Sequence, residues 1–197
     1  MSKLYFTYSA MNAGKSALLL QAAYNYRERG LKVMLWTSSH HAYKEGDRTG
    51  QIVSRIGLSA EARLFSPATS LKDEITQEFQ EKSLDAVFLD EAQFLTWTQV
   101  RDLADLCDRF RLPVLCYGLR TDFRGQLFEG AAELLAIADH LREARTICHC
   151  GRKASMTARL DEQGRAVMDG EQVSVGKQVY ASFCRKHWME VTGQTPS

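Results

Sequence analysis

Four short runs, Leu4–Tyr8, Val33–Thr37, Ala86–Asp90 and Pro113–Tyr117, are rich in apolar and β-forming residues. Helix-like stretches follow at Lys15–Arg29, Leu71–Glu81, Trp97–Phe110 and Gly130–Ala138. Strands with no polar face need cover on both sides. The alternation therefore predicts an α/β fold: a parallel sheet with helices on both faces. Gly30 should stop the first helix, and Leu103, Leu106, Cys107 and Phe110 share one face of the third. The stretch His40–Gly50 reads as a polar loop. In such sheets ligands bind at the carboxyl ends of strands.

The first strand runs into Ser9-Ala10-Met11-Asn12-Ala13-Gly14-Lys15-Ser16 and leaves as a helix. This is the strand–loop–helix setting of a phosphate-binding loop. Backbone N–H groups of Ser9 to Ser16, at a helix N-terminus, would hold phosphate oxygens. Gly14 permits close approach, Lys15 supplies a cation for the β- and γ-phosphates, and Ser16 a hydroxyl for magnesium. Ser9 stands where the usual pattern has its first glycine. Read alone, Gly-Lys-Ser is equally an ordinary helix start. Asp90-Glu91, ending a later buried strand, favours the nucleotide reading. One carboxylate can serve a phosphate-bound magnesium ion, and the next can take a proton from the attacking group. Continued strand alternation would point the two side chains apart. Like charge from nearby phosphates should raise the Glu91 pKa, which suits a base. Ala92 and Gln93 extend this second wall of the nucleotide site.

With 197 residues, 45% hydrophobic and 25% charged, the chain suits one globular domain with an appendage. A net charge of +1 implies no strong field toward nucleic acid or membrane. With no signal-peptide pattern and no membrane-length apolar run, the expectation is a cytoplasmic protein whose five cysteines are thiols or metal ligands. Cys107 and Cys116 lie in apolar, core-like surroundings, while Cys148, Cys150 and Cys184 lie in polar, turn-like ones.

After about Glu143 helical periodicity fades. Short alternating stretches at Ala154–Arg159 and Val173–Val179 predict a β-hairpin module closed by Cys184–Val191. The expected division is therefore 1–143 for the nucleotide domain and 144–197 for the module. Cys148, Cys150, Cys184 and His187 bracket that module and form the ligand set of a closed structural zinc site. A module this small needs such a crosslink, and His149 is a competing ligand. Phe94, Phe123 and Phe128 suit stacking and water exclusion around a flat base, although at least one of them should simply pack the core.

Together, Ala10–Ser16, Asp90-Glu91-Ala92-Gln93-Phe94, Gly118–Gly125 and the Cys/Cys/Cys/His module resemble the zinc-containing (type II) thymidine kinases, bacterial branch. The likeness covers Leu4 to His187. It implies a RecA-like domain and a zinc-bearing lasso that closes over the nucleoside. The implied reaction is transfer of the γ-phosphate of ATP to the 5′-hydroxyl of thymidine, giving dTMP. It further implies deoxyuridine as a second substrate, a homotetramer, and feedback inhibition by dTTP. Carried over, Glu91 is the general base and Asp90 the magnesium-site residue, acting through water. Met11, Phe94, Leu119, Phe123, Phe128 and Tyr180 line the nucleoside pocket. The backbone of Val173, Ser174, Val175 and Gly176 reads the pyrimidine edge. Tyr180 is placed between the hairpin and the Cys184–His187 pair. The acidic–basic phosphate segment of the family falls near Asp47-Arg48.

Two other readings are a RecA-type ATPase and a zinc-ribbon nucleic-acid module. Arg152, Lys153, Arg159, Arg185 and Lys186 favour the second, but Asp161, Glu162, Asp169 and Glu171 dilute that charge.

Overall fold

The computed structural model describes residues 3–41, 49–172 and 179–194. The strands β1 (Leu4–Ser9), β2 (Val33–Ser38), β3 (Thr49–Val53), β4 (Ser59–Phe65), β5 (Ala86–Leu89), β6 (Val114–Leu119) and β7 (His140–Glu143) form one sheet. Its order is β3-β4-β2-β5-β6-β1-β7. Every neighbouring pair is parallel except β3–β4, which is antiparallel at one edge.

Side chains of successive strand residues enter different cores. Phe88 of β5 and Leu35 of β2 pack with Leu19, Leu20 and Ala23 of helix α1 (Lys15–Glu28). Val87, Leu89, Met34 and Trp36 face the other way. There they meet helices α2 (Leu71–Lys82), α3 (Trp97–Phe110) and α4 (Glu129–Ile137). The central strands are thus buried on both faces, as their unbroken apolar character requires. Cys107 and Cys116 are buried among the α2–α4 side. Burial pushes the Cys107 thiol up to about 11.

Local signals set the ends of the helices. Thr96 caps α3 in a capping box with Gln99, and left-handed Arg111 ends it. Gly30, at φ +75°, follows the last turn of α1 and donates to the Arg27 carbonyl.

Beyond β7 the chain makes two small antiparallel pairs. β8 (Thr146–Ile147) pairs with β9 (Lys153–Ala154), and β10 (Met156–Leu160) pairs with β11 (Val179–Phe183). Helix α5 (Arg185–Thr192) starts at Cys184 and sends buried Trp188 into the main body. Its indole N–H donates to the carbonyls of Thr157 and Phe123 at 3.0 and 3.3 Å.

Three expectations need correction. The stretch His40–Gly50 is not wholly loop: residues Ser39–His41 form a 3₁₀ turn and Thr49 opens β3. Second, the hairpin strand opposite β10 is Val179–Phe183, one segment later than Val173–Val179, because Arg159 pairs with Tyr180 and Ala158 with Ala181. Consequently Tyr180 belongs to the hairpin strand instead of lying between the hairpin and the cysteine–histidine pair. Positions 173–176 and Asp47-Arg48 lie outside the described residues.

Candidate active site

Three strands deliver the candidate chemistry to the carboxyl end of the sheet. β6 lies between β5 and β1, so the loop after β1, the carboxylates after β5 and Leu119 at the end of β6 are neighbours. A cavity of about 380 Å³ opens there. Met11 to Ser16 form one wall, with Glu91, Gln93 and Phe94 opposite. Leu119, Phe123, Phe128 and Tyr180 complete its apolar side. Ser9, Ala10, Asp90 and Ala92 are buried behind this surface.

The loop from Ser9 to Ser16 enters α1 through a left-handed turn. Gly14 takes φ +76° at the N-terminus of α1, where a side chain would be strained. The Lys15 ammonium donates to the Ser9 hydroxyl at 2.9 Å and to the Ala10 carbonyl at 3.2 Å. Ser9 thus has a use that the glycine of the usual pattern lacks: its hydroxyl receives the lysine. Burial lowers the Lys15 pKa, against the pull of Glu91 and Asp90.

The acidic pair is arranged differently from the expectation. The strand ends at Leu89, and Glu91 adopts left-handed φ +54°. Strand alternation therefore stops before the pair, and Glu91 lines the cavity while Asp90 is buried. Asp90 is only 4% exposed. Burial first, and the Glu91 charge second, push its carboxyl up to about 6, although Ser16 and the Glu91 N–H hydrogen-bond to it. Removal from water is thus the main cause of the lift on Asp90.

Gln93 is buried and makes two directed bonds. Its carbonyl oxygen accepts from the Leu119 N–H at 2.9 Å, which orients the amide, and its NH₂ donates to the Glu91 carboxylate. Gly118 makes this possible, since a Cβ there would lie 2.8 Å from Gln93 Oε1 and 2.9 Å from its backbone nitrogen. Phe128 meets Phe94 edge-on at 5.7 Å, and Phe123 and Phe128 are also part of the buried core. These rings serve packing and pocket together.

The cavity has walls that the sequence reading missed. Val53, Ser54, Arg55 and Ile56, at the turn between β3 and β4, face the phosphate loop across it. Asp122, Thr157 and Gln172 enter from the far side. No local motif marks them. Ile56 there is 76% exposed.

The sulfur–nitrogen cluster lies at the base of the C-terminal hairpins. Ligand atoms of Cys148, Cys150, Cys184 and His187 lie within 4.8 Å of one another. His187 Nδ1 is 3.3 Å from Cys148 Sγ and 3.6 Å from Cys184 Sγ, and Cys150 Sγ is 3.9 Å from Cys184 Sγ. A tetrahedral zinc with sulfur ligands at about 2.3 Å needs edges of about 3.8 Å, so the cluster fits it. Burial opposes the Cys148 thiolate, yet backbone N–H groups of Cys150 and Cys184, with His187, bring its pKa down to about 6. His149 borders this group: its Nδ1 lies 3.6 Å from Cys148 Sγ, and its ring stacks on His187 at 4.3 Å.

Comparison with known proteins agrees with this geometry. The thymidine kinase family matches residues 2–188. Thymidine kinase of Mesorhizobium japonicum is 54% identical over 98% of this chain and 94% of the relative. That of Agrobacterium fabrum is 53% identical over 96% of this chain and 97% of its own. That of Escherichia coli O157:H7 is 52% identical over 96% and 92%. With a phosphate loop, an acidic pair and a four-ligand cluster placed as described, this chain belongs to the thymidine kinase family.

Proposed function

We propose that this protein transfers the γ-phosphate of ATP to the 5′-hydroxyl of thymidine, and also of deoxyuridine. The observation that carries the reading is the meeting of Lys15, the Asp90-Glu91 pair and an aromatic-walled cavity at the ends of β1, β5 and β6. Backbone N–H groups of Ala10 to Ser16 and the Lys15 ammonium bind the β- and γ-phosphates. Magnesium would arrive with ATP, and Ser16 and Asp90 would hold it to neutralise phosphate charge. Gln93 holds the Glu91 carboxylate where it accepts the proton of the 5′-hydroxyl during in-line attack. Phe94, Leu119, Phe123, Phe128, Met11 and Tyr180 surround the base and exclude water, and the backbone of 173–176 reads its edge.

Residues 144–197 act as the lasso unit, with zinc on Cys148, Cys150, Cys184 and His187 as structural support. Four protein ligands leave that ion no open position for chemistry. A homotetramer, inhibition by dTTP and a cytoplasmic site of action complete the proposal, the last in keeping with unpaired cysteines. Among the described residues no helix is long and apolar enough to cross a membrane.

The test is ADP release with a panel of nucleosides, each with and without magnesium. Thymidine and deoxyuridine should drive turnover, and only with magnesium. ATP hydrolysis indifferent to nucleoside would instead point to an ATPase.

A further inference from the structure

Arg159 is 2% exposed, and an arginine side chain keeps its charge in any folded protein. Buried charges normally meet an opposite charge. Among the described residues this guanidinium meets only neutral acceptors. Its Nε donates to the Tyr180 phenol oxygen at 3.1 Å, and its Nη2 to the Glu171 carbonyl at 2.6 Å. Longer bonds reach the carbonyls of Gln172 at 3.3 Å and Asp169 at 3.5 Å. Its flat face lies 3.7 Å from the centroid of the Phe123 ring. Holding a cation this way is costly, so the site should gain something that an apolar residue could not give.

The contacts indicate what that is. Phe123, Gln172 and Tyr180 all face the cavity described above, and Arg159 touches each of them. Gln172 is tied from the opposite side as well, since its amide donates to buried Asp122 at 3.2 Å. The polarity of the Tyr180 bond adds a constraint. Arginine has donors only, so the phenol oxygen must accept from it, and the single phenol proton is left for another acceptor. Among the described residues the phenol has no other hydrogen-bond partner.

We propose that Arg159 is a positioning residue for the nucleoside: it presents the Tyr180 hydroxyl as a donor to an acceptor oxygen of the bound substrate and holds Phe123 against the base. Arg159 acts through these side chains and touches no reacting atom. The inference rests on the kinase reading. Failure of that reading shows in the wild type's nucleoside panel, whereas failure of this inference shows only in variants of an active enzyme.

The experiment is a double-mutant cycle on the full-length protein with Arg159→Met, Tyr180→Phe and the double variant. Thymidine KM, ATP KM, zinc content and Tm are measured for each. Arg159→Met should raise the thymidine KM at least about tenfold and leave the ATP KM within about twofold. Adding Tyr180→Phe to Arg159→Met should cost little more, because the two act as one unit. Arg159→Lys, which keeps the charge and a donor but not the fork or the stacking plane, should lie between wild type and Arg159→Met. If Arg159→Met does not fold, the same cycle is run on Arg159→Lys. Equal rises in both KM values, or additive losses from positions 159 and 180, would overturn the proposal and leave Arg159 a packing residue.

Discussion

The backbone N–H of Met11 donates to the Thr157 hydroxyl at 3.1 Å, joining the phosphate loop to the C-terminal hairpin across 146 residues of chain. The Met11 carbonyl in turn accepts from the Ser182 hydroxyl on the paired strand. Both hairpin strands thus grip the same loop residue. Thr157→Val keeps the shape and removes the acceptor from a part-buried N–H, a loss of about 1 kcal/mol or more. The KM for ATP should rise about fivefold, a factor that corresponds to that energy. An ATP KM unchanged in this variant would show that the tie does not shape the loop.

Cys184 is both a member of the four-ligand cluster and the residue that starts α5. Cys184→Ser should lower bound zinc from one per chain and loosen the hairpin that grips Met11. Thymidine and ATP should then both bind more weakly, although no reacting group has changed. Metal analysis of the purified wild type is the direct check. A wild-type protein that is folded and active without zinc would remove the basis for this prediction.

Glu91→Gln should preserve ATP binding and lower kcat by about 10²–10⁴-fold, the usual consequence of losing a general base. Gln93→Leu should lower kcat by a smaller factor of about ten, because Glu91 remains but loses its buried donor. It should leave the ATP KM nearly unchanged. Near-wild-type kcat in Glu91→Gln would assign the proton to another group.

Asp90 provides a pH test in the ligand-free protein. Its folded pKa, about 6, lies above the ordinary 3.8, so the folded state holds the proton more tightly than the unfolded state does. Stability contributed by the protonated form is therefore lost as pH rises through about 6. Asp90→Asn cannot ionise, so its Tm advantage over wild type should grow between about pH 4 and about pH 6 and level off above about pH 7. Each kcal/mol recovered is worth about 2–4 °C in a chain of this size. Thermal melts without magnesium or nucleotide read this directly, and a difference independent of pH would refute it.

Purine nucleosides should be poor substrates. The cavity of about 380 Å³ is already walled by Phe94, Phe123 and Phe128 and has to hold a sugar besides the base. The kcat/KM for deoxyguanosine should fall below that for thymidine by at least about 100-fold. Comparable values would show that the pocket does not read the base.

Much of the site was legible because its chemistry is local. A helix N-terminus binds phosphate through its own backbone, so Gly14, Lys15 and Ser16 announce it within three residues. The four central strands were legible because burial on both faces leaves an unbroken apolar run. The outer strands β3, β4 and β7 lack that signature. Val53 and Leu141 are exposed on them, and what makes them strands is a neighbour's backbone, which no local pattern encodes.

The sequence by itself determined the α/β class, the Gly14-Lys15-Ser16 helix start, the acidic pair and the four sulfur and nitrogen side chains that cluster. Only the tertiary structure decided that the Asp90 carboxyl is lifted, because desolvation depends on what surrounds it. It alone decided the hydrogen-bond partners of Gln93 and Arg159 as well. Arg159 looked like one more surface cation in a mixed-charge stretch. Its partners come from residue 123, residues 169–172 and residue 180, and long-range contacts of that kind exist only once the chain has folded.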